Sequence, residues 1–278
     1  MVSSFIEHVL GVHDNTRNGI RQNHGLFGRT SAYYKTVQQQ GQLTLHLHMV
    51  LWIMNSLTPQ EIRDRIMDED SSFQKGIVEY LESVHIGEFL TGTHQEVQQN
   101  VSNDMIQHDY VNPTETLPVP PPPKCRNALG CGSCINCNDL EEWCKTFCST
   151  VDDILLRSNI HTSSGGSKEY KRKYDKDQGI SKDVQKPFNP ITGCKSNKSG
   201  RCKAWFPRKL FKQTMVNPMT GSLDIKKGEP WMNTISPTVT YLLRCNTDVT
   251  SLLSGTAIKA VIAYISDYIT KPNHCQYC

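Results

Sequence analysis

The amino-acid sequence predicts an α+β fold in which a mainly antiparallel sheet, carrying a His-x-His strand, is packed by helices and accompanied by a cysteine-rich insertion. Three patterns support this prediction. The segment QQQGQLTLHLHMVLWI at 38–53 alternates in part between polar and apolar side chains, as a hairpin strand does. Helical spacing of apolar residues follows in 57–84, and strands followed by helices favour an α+β layer. Four cysteines lie within 125–137.

The N-terminal part, residues 1–111, is predicted to contain the hairpin and then helices. In SLTPQEIRDRIM, Thr58 is a candidate N-cap, Pro59 occupies the first helical position and Glu61 follows the cap by three residues. In SSFQKGIVEYLESV, apolar side chains recur at helical spacing.

A proline-rich linker is predicted at 112–124, because LPVPPPPKC favours an extended, semi-rigid conformation. The cysteine-rich and basic region 125–235 follows. Its segment NDLEEWCKTFCSTVDDILLR has a continuous apolar stripe, which predicts a helix and burial of Cys144. The last region, 236–278, is expected to form two helices.

The last of these helices, TAIKAVIAYISDYITKP, carries two tyrosines at helical spacing. Tyr264 and Tyr268 are four residues apart, and Lys271 follows three residues later, so one helix face presents both phenols and the ammonium. Aromatic residues in such an apolar helix are also common in protein cores. The spacing alone leaves catalysis and packing open.

Two histidines share one face of the predicted strand. His46 and His48 alternate with Leu45, Leu47 and Met49, which belong to the other face. A pair of imidazoles on one face can hold a metal ion or serve as structural residues. Both interpretations stay open on this segment alone.

Positive charge is concentrated in one segment, although the formal net charge of the chain is only +3. Between Val184 and Leu223 there is no acidic residue, and aromatic side chains lie among the basic ones. Basic groups neutralise phosphates and aromatic rings stack on unpaired bases. The candidate DNA-binding residues are Lys195, Lys198, Arg201, Lys203, Trp205, Arg208 and Lys209. The alternative is a solvated basic loop.

Several classes of function are disfavoured by missing patterns. The N-terminal segment does not resemble a signal peptide, no apolar run reaches the length of a membrane span, and there is no Walker A sequence. We therefore expect no membrane partner and no ATP hydrolysis by this chain. The eleven cysteines are expected to be reduced, which favours metal binding or burial.

The combination of a His-hydrophobic-His strand with a Tyr-x-x-x-Tyr-x-x-Lys helix resembles the HUH single-strand endonucleases of rolling-circle replication. The segments LFGRTSAYYKTVQQQGQLTLHLHMVLWI, GCKSNKSGRCKAWFPRKLF and TYLLRCNTDVTSLLSGTAIKAVIAYISDYITKP narrow the likeness. They are similar to the replication-initiator region of Helitron transposases, the Helitron helicase-like domain, of the fungal type. The resemblance covers nearly the whole chain. It implies a helicase domain on the same polypeptide, a nuclear location, and a sequence that is a fragment or a decayed copy.

The resemblance implies a role for each candidate site residue. Tyr264 and Tyr268 are expected to be nucleophiles that form a 5′-phosphotyrosine, with Lys271 stabilising phosphate or phenolate. His46 and His48 are expected to bind Mn²⁺ or Mg²⁺. Gln38 occupies the position where the family commonly has a glutamate ligand. A hairpin loop centred on residue 42 places Gln38 directly opposite His46.

The cysteines suggest structural zinc. Cys125, Cys131, Cys134 and Cys137 include two overlapping Cys-x-x-C units, a spacing typical of zinc ligands, with unligated thiols as the alternative. The resemblance implies a further zinc site that includes His161, Cys194 and Cys202. In that site Ser163 stands where a cysteine is expected.

The sequence therefore predicts a metal-dependent single-stranded DNA endonuclease and strand transferase of the Helitron type. One alternative is an inactive transposon remnant that still binds single-stranded DNA through the basic segment. The other is a zinc-stabilised interaction module in which His46 and His48 are core residues.

Overall fold

The computed structural model of the 278-residue chain describes its residues in several ranges. These are 2–13, 21–40, 44–67, 71–125, 131, 134–161, 170–175, 180–185, 202, 204–217, 219, 221–253 and 257–263. The chain divides into two compact units. The first unit contains the described parts of Met1–Val84, Thr214–Ile225 and Ser251–Cys278, and the second contains those of His85–Gln213 and Lys226–Thr250.

The first unit combines short helices with antiparallel strand pairs. Its elements are α1 (Val2–Ser4), which continues as a π-helical turn (Phe5–Val9), β1 (Val12–His13), β2 (Arg21–Gln22), β3 (Thr30–Gln40), β4 (Thr44–Ile53), α2 (Pro59–Met67) and α3 (Ser71–Val84). Strands β7 (Met215–Val216) and β8 (Leu223–Asp224) and a helix α7 at 257–263 complete the described part.

The β3–β4 hairpin is the largest strand pair of the first unit. Its antiparallel register runs from Thr30 opposite Ile53 to Gln40 opposite Thr44, with one irregularity between Thr30 and Ala32. Gln38 pairs with His46, as the hairpin pattern predicts. The register therefore fixes which side chains share a face with the histidines.

The two predicted helices after the hairpin are confirmed as α2 and α3. At the start of α2 the backbone N–H of Thr58 donates to a Glu61 carboxylate oxygen at 2.8 Å, and the Glu61 N–H donates to the Thr58 hydroxyl at 3.3 Å. This reciprocal pair is the capping box that the sequence predicts.

The core of the first unit lies between its N-terminal segment and one face of the hairpin. Buried Ile6, Leu10 and Val12 form its centre. From the hairpin, Tyr33, Met49 and Leu51 pack against that centre. Met49 and Leu51 are two residues apart on β4, and Tyr33 is paired with Leu51. All three therefore belong to the face opposite His46 and His48.

The second unit is built around a long helix that contacts two shorter helices and a 3₁₀ turn. Its elements are α4 (His94–Asp104), a 3₁₀ turn (Pro113–Glu115), α5 (Ile135–Ser158), β5 (Tyr170–Asp175), β6 (Ile180–Gln185) and α6 (Pro237–Leu243). Its core residues are Phe89, Val97, Val101, Val151, Leu155, Met232, Ile235 and Tyr241.

Helix α5 is buried only towards its C-terminal end. Val151 and Leu155 are fully buried, and Asp152 beside them accepts hydrogen bonds from the backbone N–H groups of Leu90 and Thr91, both at 2.8 Å. The N-terminal half of the helix is largely solvated. The predicted burial of Cys144 is therefore wrong, because that thiol lies on the solvated half and is exposed.

The proline-rich segment is held against aromatic side chains of the second unit. The indole Nε1 of Trp143 donates to the Val119 carbonyl at 3.1 Å, and the Tyr241 hydroxyl donates to the same oxygen at 3.0 Å. Residues 117–125 form neither helix nor strand, as the sequence predicts.

The α+β class and the antiparallel pairing are confirmed. The described strands form two-stranded sheets, and a cluster of four cysteines accompanies them.

Candidate functional site

His46 and His48 lie side by side on β4. Their ring centroids are 6.4 Å apart and the rings are inclined by 33°. With metal–nitrogen bonds of about 2.1 Å, two imidazoles on one ion have centroids about 6.5 Å apart when they bind from opposite sides and about 5 Å apart at a tetrahedral angle. The observed separation therefore fits a shared ion with opposed imidazoles, and a tetrahedral site requires the two rings to rotate closer together. Nδ1 of His46 and Nε2 of His48 are both shielded from solvent.

The electrostatic environment favours the neutral form of the His48 imidazole. Burial lowers the pKa of His48, and the neighbouring His46 lowers it further. Neutral imidazole is the form that coordinates a metal. Among the described residues, the buried Nδ1 of His46 has no hydrogen-bond partner. Buried polar atoms are normally satisfied, so this ring nitrogen is a candidate ligand atom.

The opposite strand supplies polar residues to the same face. Gln38 is paired with His46 and Thr36 with His48. Directly opposed residues of an antiparallel pair have β-carbons about 5 Å apart, which is close enough for both side chains to reach one ion. The side chain of Gln38 itself lies outside the described part of the structure, and Gln38 as a ligand stays a prediction.

The tyrosine-bearing segment lies largely outside the described residues. Tyr264, Tyr268 and Lys271 all lie outside the described residues, so the roles expected for them stay predictions. Helix α7 covers 257–263, the residues that immediately precede Tyr264 in sequence. It belongs to the same compact unit as the β3–β4 hairpin.

The four cysteines predicted to form one site do come together. The ligand atoms of Cys125, Cys131, Cys134 and Cys137 all lie within 4.8 Å of one another. Two sulfur–sulfur separations are 3.6 Å, between Cys134 and Cys125, and 3.9 Å, between Cys131 and Cys137. This arrangement offers four sulfur ligands to a single metal ion.

Local chain geometry explains the convergence of these thiols. Cys134 is the N-cap of α5, and Cys137 lies in the first turn of that helix. The backbone N–H of Cys134 points at the Cys131 sulfur, 3.3 Å away. Cys125 is brought near by the end of the proline-rich segment, where the Asn136 amide donates to the Lys124 carbonyl at 3.4 Å.

Without a metal, the Cys134 thiol resists deprotonation because the other thiols of the cluster lie close to it. The backbone hydrogen bond from Cys137 lowers the pKa of Cys134, but hydrogen bonds with the three other thiols outweigh it and raise that pKa to about 12. Thiolates are the form that binds metal, so a cation has to displace protons here.

A second predicted pair of ligands is also adjacent. The Cys202 sulfur lies 3.3 Å from Nε2 of His161, and the His161 ring stacks on Phe206 with centroids 4.3 Å apart. Burial lowers the pKa of His161, with a further contribution from Arg208. Cys194 and Ser163 lie outside the described residues, so the remaining ligands of this predicted site stay untested.

The described end of the basic segment combines exposed and anchored residues. Trp205 is 77% exposed and adopts a left-handed backbone with φ of 64°. The Arg208 guanidinium lies 4.5 Å from the Phe206 centroid and donates to Asn233 Oδ1 at 3.0 Å. Lys209 lies 4.7 Å from the Phe211 centroid. The other predicted DNA-binding residues, Lys195, Lys198, Arg201 and Lys203, lie outside the described part.

Sequence reasoning missed a buried lysine in the second unit. Nζ of Lys227 is shielded from solvent and has no hydrogen-bond partner among the described residues. Burial, followed by the charge of Arg208, lowers the pKa of Lys227 to about 8, although Asp248 and Glu229 oppose this. No sequence pattern marks this group, because Arg208 and Asp248 are distant from it along the chain.

Comparisons with protein families, curated proteins and solved structures give no match for this chain. Within the described ranges, no helix is both long and apolar enough to cross a membrane.

Proposed function

We propose that this protein is a metal-dependent single-stranded DNA endonuclease and strand transferase of the Helitron type. The observation that carries this proposal is the regular β3–β4 hairpin, which presents His46 and His48 on one face with Gln38 directly opposite His46. The lowered pKa of His48 supports a metal-binding role, as does the buried Nδ1 of His46, which has no hydrogen-bond partner in the part of the chain that the structure describes.

In this proposal His46 and His48 hold Mn²⁺ or Mg²⁺ through neutral imidazoles, and the Gln38 amide oxygen is a third ligand. The bound ion supplies charge stabilisation to the non-bridging oxygens of the scissile phosphate. An amide oxygen is a weaker donor than the carboxylate expected from the family. Because Mn²⁺ tolerates imidazole better than Mg²⁺ does, Mn²⁺ is the preferred ion.

The covalent step belongs to the tyrosines. The phenol of Tyr264 or Tyr268 loses its proton and attacks phosphorus, the bond to the 3′ oxygen breaks, and that oxygen takes up a proton. The products are a 5′-phosphotyrosine and a free 3′-hydroxyl. A nearby cation such as Lys271 favours the phenolate. Two tyrosines on one helix face can hold two strands in turn, which suits strand transfer.

The basic segment is proposed to bind single-stranded DNA. Trp205 offers an exposed ring for base stacking, and Arg208 and Lys209 supply positive charge. The predicted cations Lys195, Lys198, Arg201 and Lys203 precede these residues in the same segment of the sequence. A helicase domain on the same polypeptide and a nuclear location are part of this proposal.

We also propose that the cysteine cluster binds structural zinc. Tetrahedral zinc with Zn–S bonds of about 2.3 Å requires sulfur–sulfur separations of about 3.8 Å. The separations of 3.6 Å and 3.9 Å bracket that value. The cluster also favours the second candidate function, a zinc-stabilised interaction module. A DNA-binding remnant without nuclease activity is the outcome if Gln38 cannot replace a carboxylate.

A nicking assay tests the proposed function. Labelled single-stranded oligonucleotides are incubated with the zinc-loaded chain in the presence and absence of Mn²⁺, beside His46→Ala and His48→Ala. The proposal predicts Mn²⁺-dependent cleavage that both substitutions abolish. Omitting Mn²⁺ is preferable to adding a chelator, since a chelator also strips zinc. Cleavage that persists in both variants, or no cleavage by the wild type, contradicts the proposal.

A further inference from the structure

Two aromatic residues share the hairpin face with the candidate metal ligands. Along β4 the residues on this face are His46, His48, Val50 and Trp52, and along β3 they include Tyr34, which is paired with Val50. Two residues of a strand advance about 6.8 Å, so Trp52 begins about 14 Å from His48, with Tyr34 between them.

The two faces of the hairpin differ in how their aromatic and aliphatic residues pack against the rest of the first unit. Tyr33 and Leu51, the immediate neighbours of these aromatics, pack against the buried N-terminal core. Tyr34 and Trp52 instead leave 39% and 46% of their surface exposed. Each of these aromatic side chains presents part of its apolar surface to solvent, and such surfaces often mark binding sites.

The surroundings of Trp52 leave its ring accessible. The residue paired with it is Ala32, which is small and itself exposed. A positive charge lies at the same end of the hairpin, since exposed Arg29 has Nη1 3.9 Å from the Met54 sulfur, two residues beyond Trp52. An exposed aromatic ring and a guanidinium at one end of a hairpin are a combination that binds unpaired bases and their phosphates.

We propose that Tyr34 and Trp52 form a base-stacking track that holds single-stranded DNA beside the phosphate positioned at His46 and His48. This inference rests on the proposed function and adds residues that bind the nucleotides next to the scissile bond. Tyr34 and Trp52 are substrate-binding residues. They contact the bases and orient the strand, and they take no part in the covalent step.

The test is an equilibrium binding measurement that requires no cleavage. A fluorescent oligothymidine of about 20 nucleotides is titrated with the full, zinc-loaded chain, without added Mn²⁺ or Mg²⁺, and anisotropy is recorded. The variants are Tyr34→Ala, Trp52→Ala and the conservative Trp52→Phe. Val37→Ala is the matched control, because Val37 is 48% exposed but belongs to the opposite face of β3.

We expect Tyr34→Ala and Trp52→Ala each to weaken binding about tenfold or more, as the loss of one stacked base does. Trp52→Phe should retain most of the affinity and Val37→Ala should stay within about twofold of the wild type. Unchanged affinity in both alanine variants, with unchanged circular dichroism, overturns the inference.

The two proposals fail in distinguishable ways. If Tyr34 and Trp52 control binding but the nicking assay shows no cleavage, the stacking track stands and the nuclease does not. If cleavage occurs while both alanine variants bind DNA normally, the nuclease stands and the strand lies elsewhere. Binding that Trp205→Ala abolishes, and that neither Tyr34→Ala nor Trp52→Ala weakens, leaves the DNA on the basic segment alone and contradicts the track.

Discussion

The cysteine cluster of the second unit and the histidine face of the first differ in how their ligands are brought together. Cys125, Cys131, Cys134 and Cys137 are close in sequence, and the start of α5 gathers all four sulfurs within 4.8 Å. On the histidine face, β4 contributes His46 and His48, and the neighbouring strand β3 places Gln38 opposite His46. Its proposed nucleophiles come from the other end of the sequence.

This difference determines what each site needs in order to work. A local ligand set depends on one turn of helix and a short extended segment. A site assembled from distant segments depends on the packing of a whole unit, so it is more sensitive to single changes in the chain. Substitutions in the cysteine cluster and on the histidine face should therefore affect zinc content and DNA cleavage independently.

The largest effect is expected for Cys134→Ala together with Cys131→Ser. Both changes remove thiolate ligands, and structural zinc in small sites contributes about 10–16 kcal/mol of apparent binding free energy at neutral pH. We predict loss of one equivalent of zinc, measured by elemental analysis, and a lower melting temperature of the second unit. The control is Cys144→Ser, which changes an exposed thiol on the same helix. Full zinc retention in the double variant contradicts the proposed site.

The pH dependence of zinc binding tests whether the cysteine thiols are the ligands. The pKa of Cys134 in the metal-free fold is raised to about 12, so this thiol is protonated at neutral pH and binding has to release a proton. Affinity should therefore rise with pH, by about tenfold per pH unit for each proton released. Competition titrations at several pH values measure this slope. A flat profile indicates that the thiols are not the ligands.

His46→Ala tests the distant site without disturbing the local one. Removing one of two imidazole ligands should lower Mn²⁺-dependent cleavage at least about 100-fold, since even indirect partners of metal ligands are worth 10–100-fold. Zinc content should be unchanged, because the cysteine cluster belongs to the other unit. Equal cleavage rates for variant and wild type refute the role of His46.

Gln38→Glu is expected to strengthen the site. Gln38 lies directly opposite His46, and a carboxylate there is a better ligand for Mn²⁺ or Mg²⁺ than an amide. We predict about tenfold tighter Mn²⁺ binding, measured by calorimetry, and faster cleavage. Gln60→Glu, on α2, is the control for the added charge. A variant that binds Mn²⁺ no better than the wild type excludes position 38 as a ligand.

Lys227→Met should give the smallest effect, an increase in stability. The pKa of Lys227 is lowered from 10.5 to about 8 in the folded chain, so the unfolded chain binds more protons between these values. The free energy of unfolding of the wild type should therefore rise between about pH 8 and about pH 10.5. At pH 7 the variant should be more stable than the wild type by about 1–2 kcal/mol, and this difference should disappear above about pH 10.5. Denaturant unfolding measures it, with Lys212→Met as the exposed control.

Local patterns predicted more of the fold than of the site. The Thr58–Glu61 capping box and the pairing of Gln38 with His46 follow from residues near in sequence, and both are confirmed. The solvation of Cys144 was missed because periodicity shows which face of a helix is apolar but not how much of its length is covered. Strand alternation could have identified Trp52, whereas the burial of Lys227 depends on residues far away in the chain.

A search for a covalent protein–DNA adduct tests whether the tyrosines act as nucleophiles. Labelled single-stranded DNA and Mn²⁺ are added to the zinc-loaded chain and to a Tyr264→Phe/Tyr268→Phe variant, and both are examined on a denaturing gel and by peptide mass spectrometry. The account predicts a labelled band at the mass of the protein, with a phosphodiester on one of these tyrosines, and no such band in the variant. Mn²⁺-dependent cleavage without an adduct, or an adduct that survives in the variant, contradicts it.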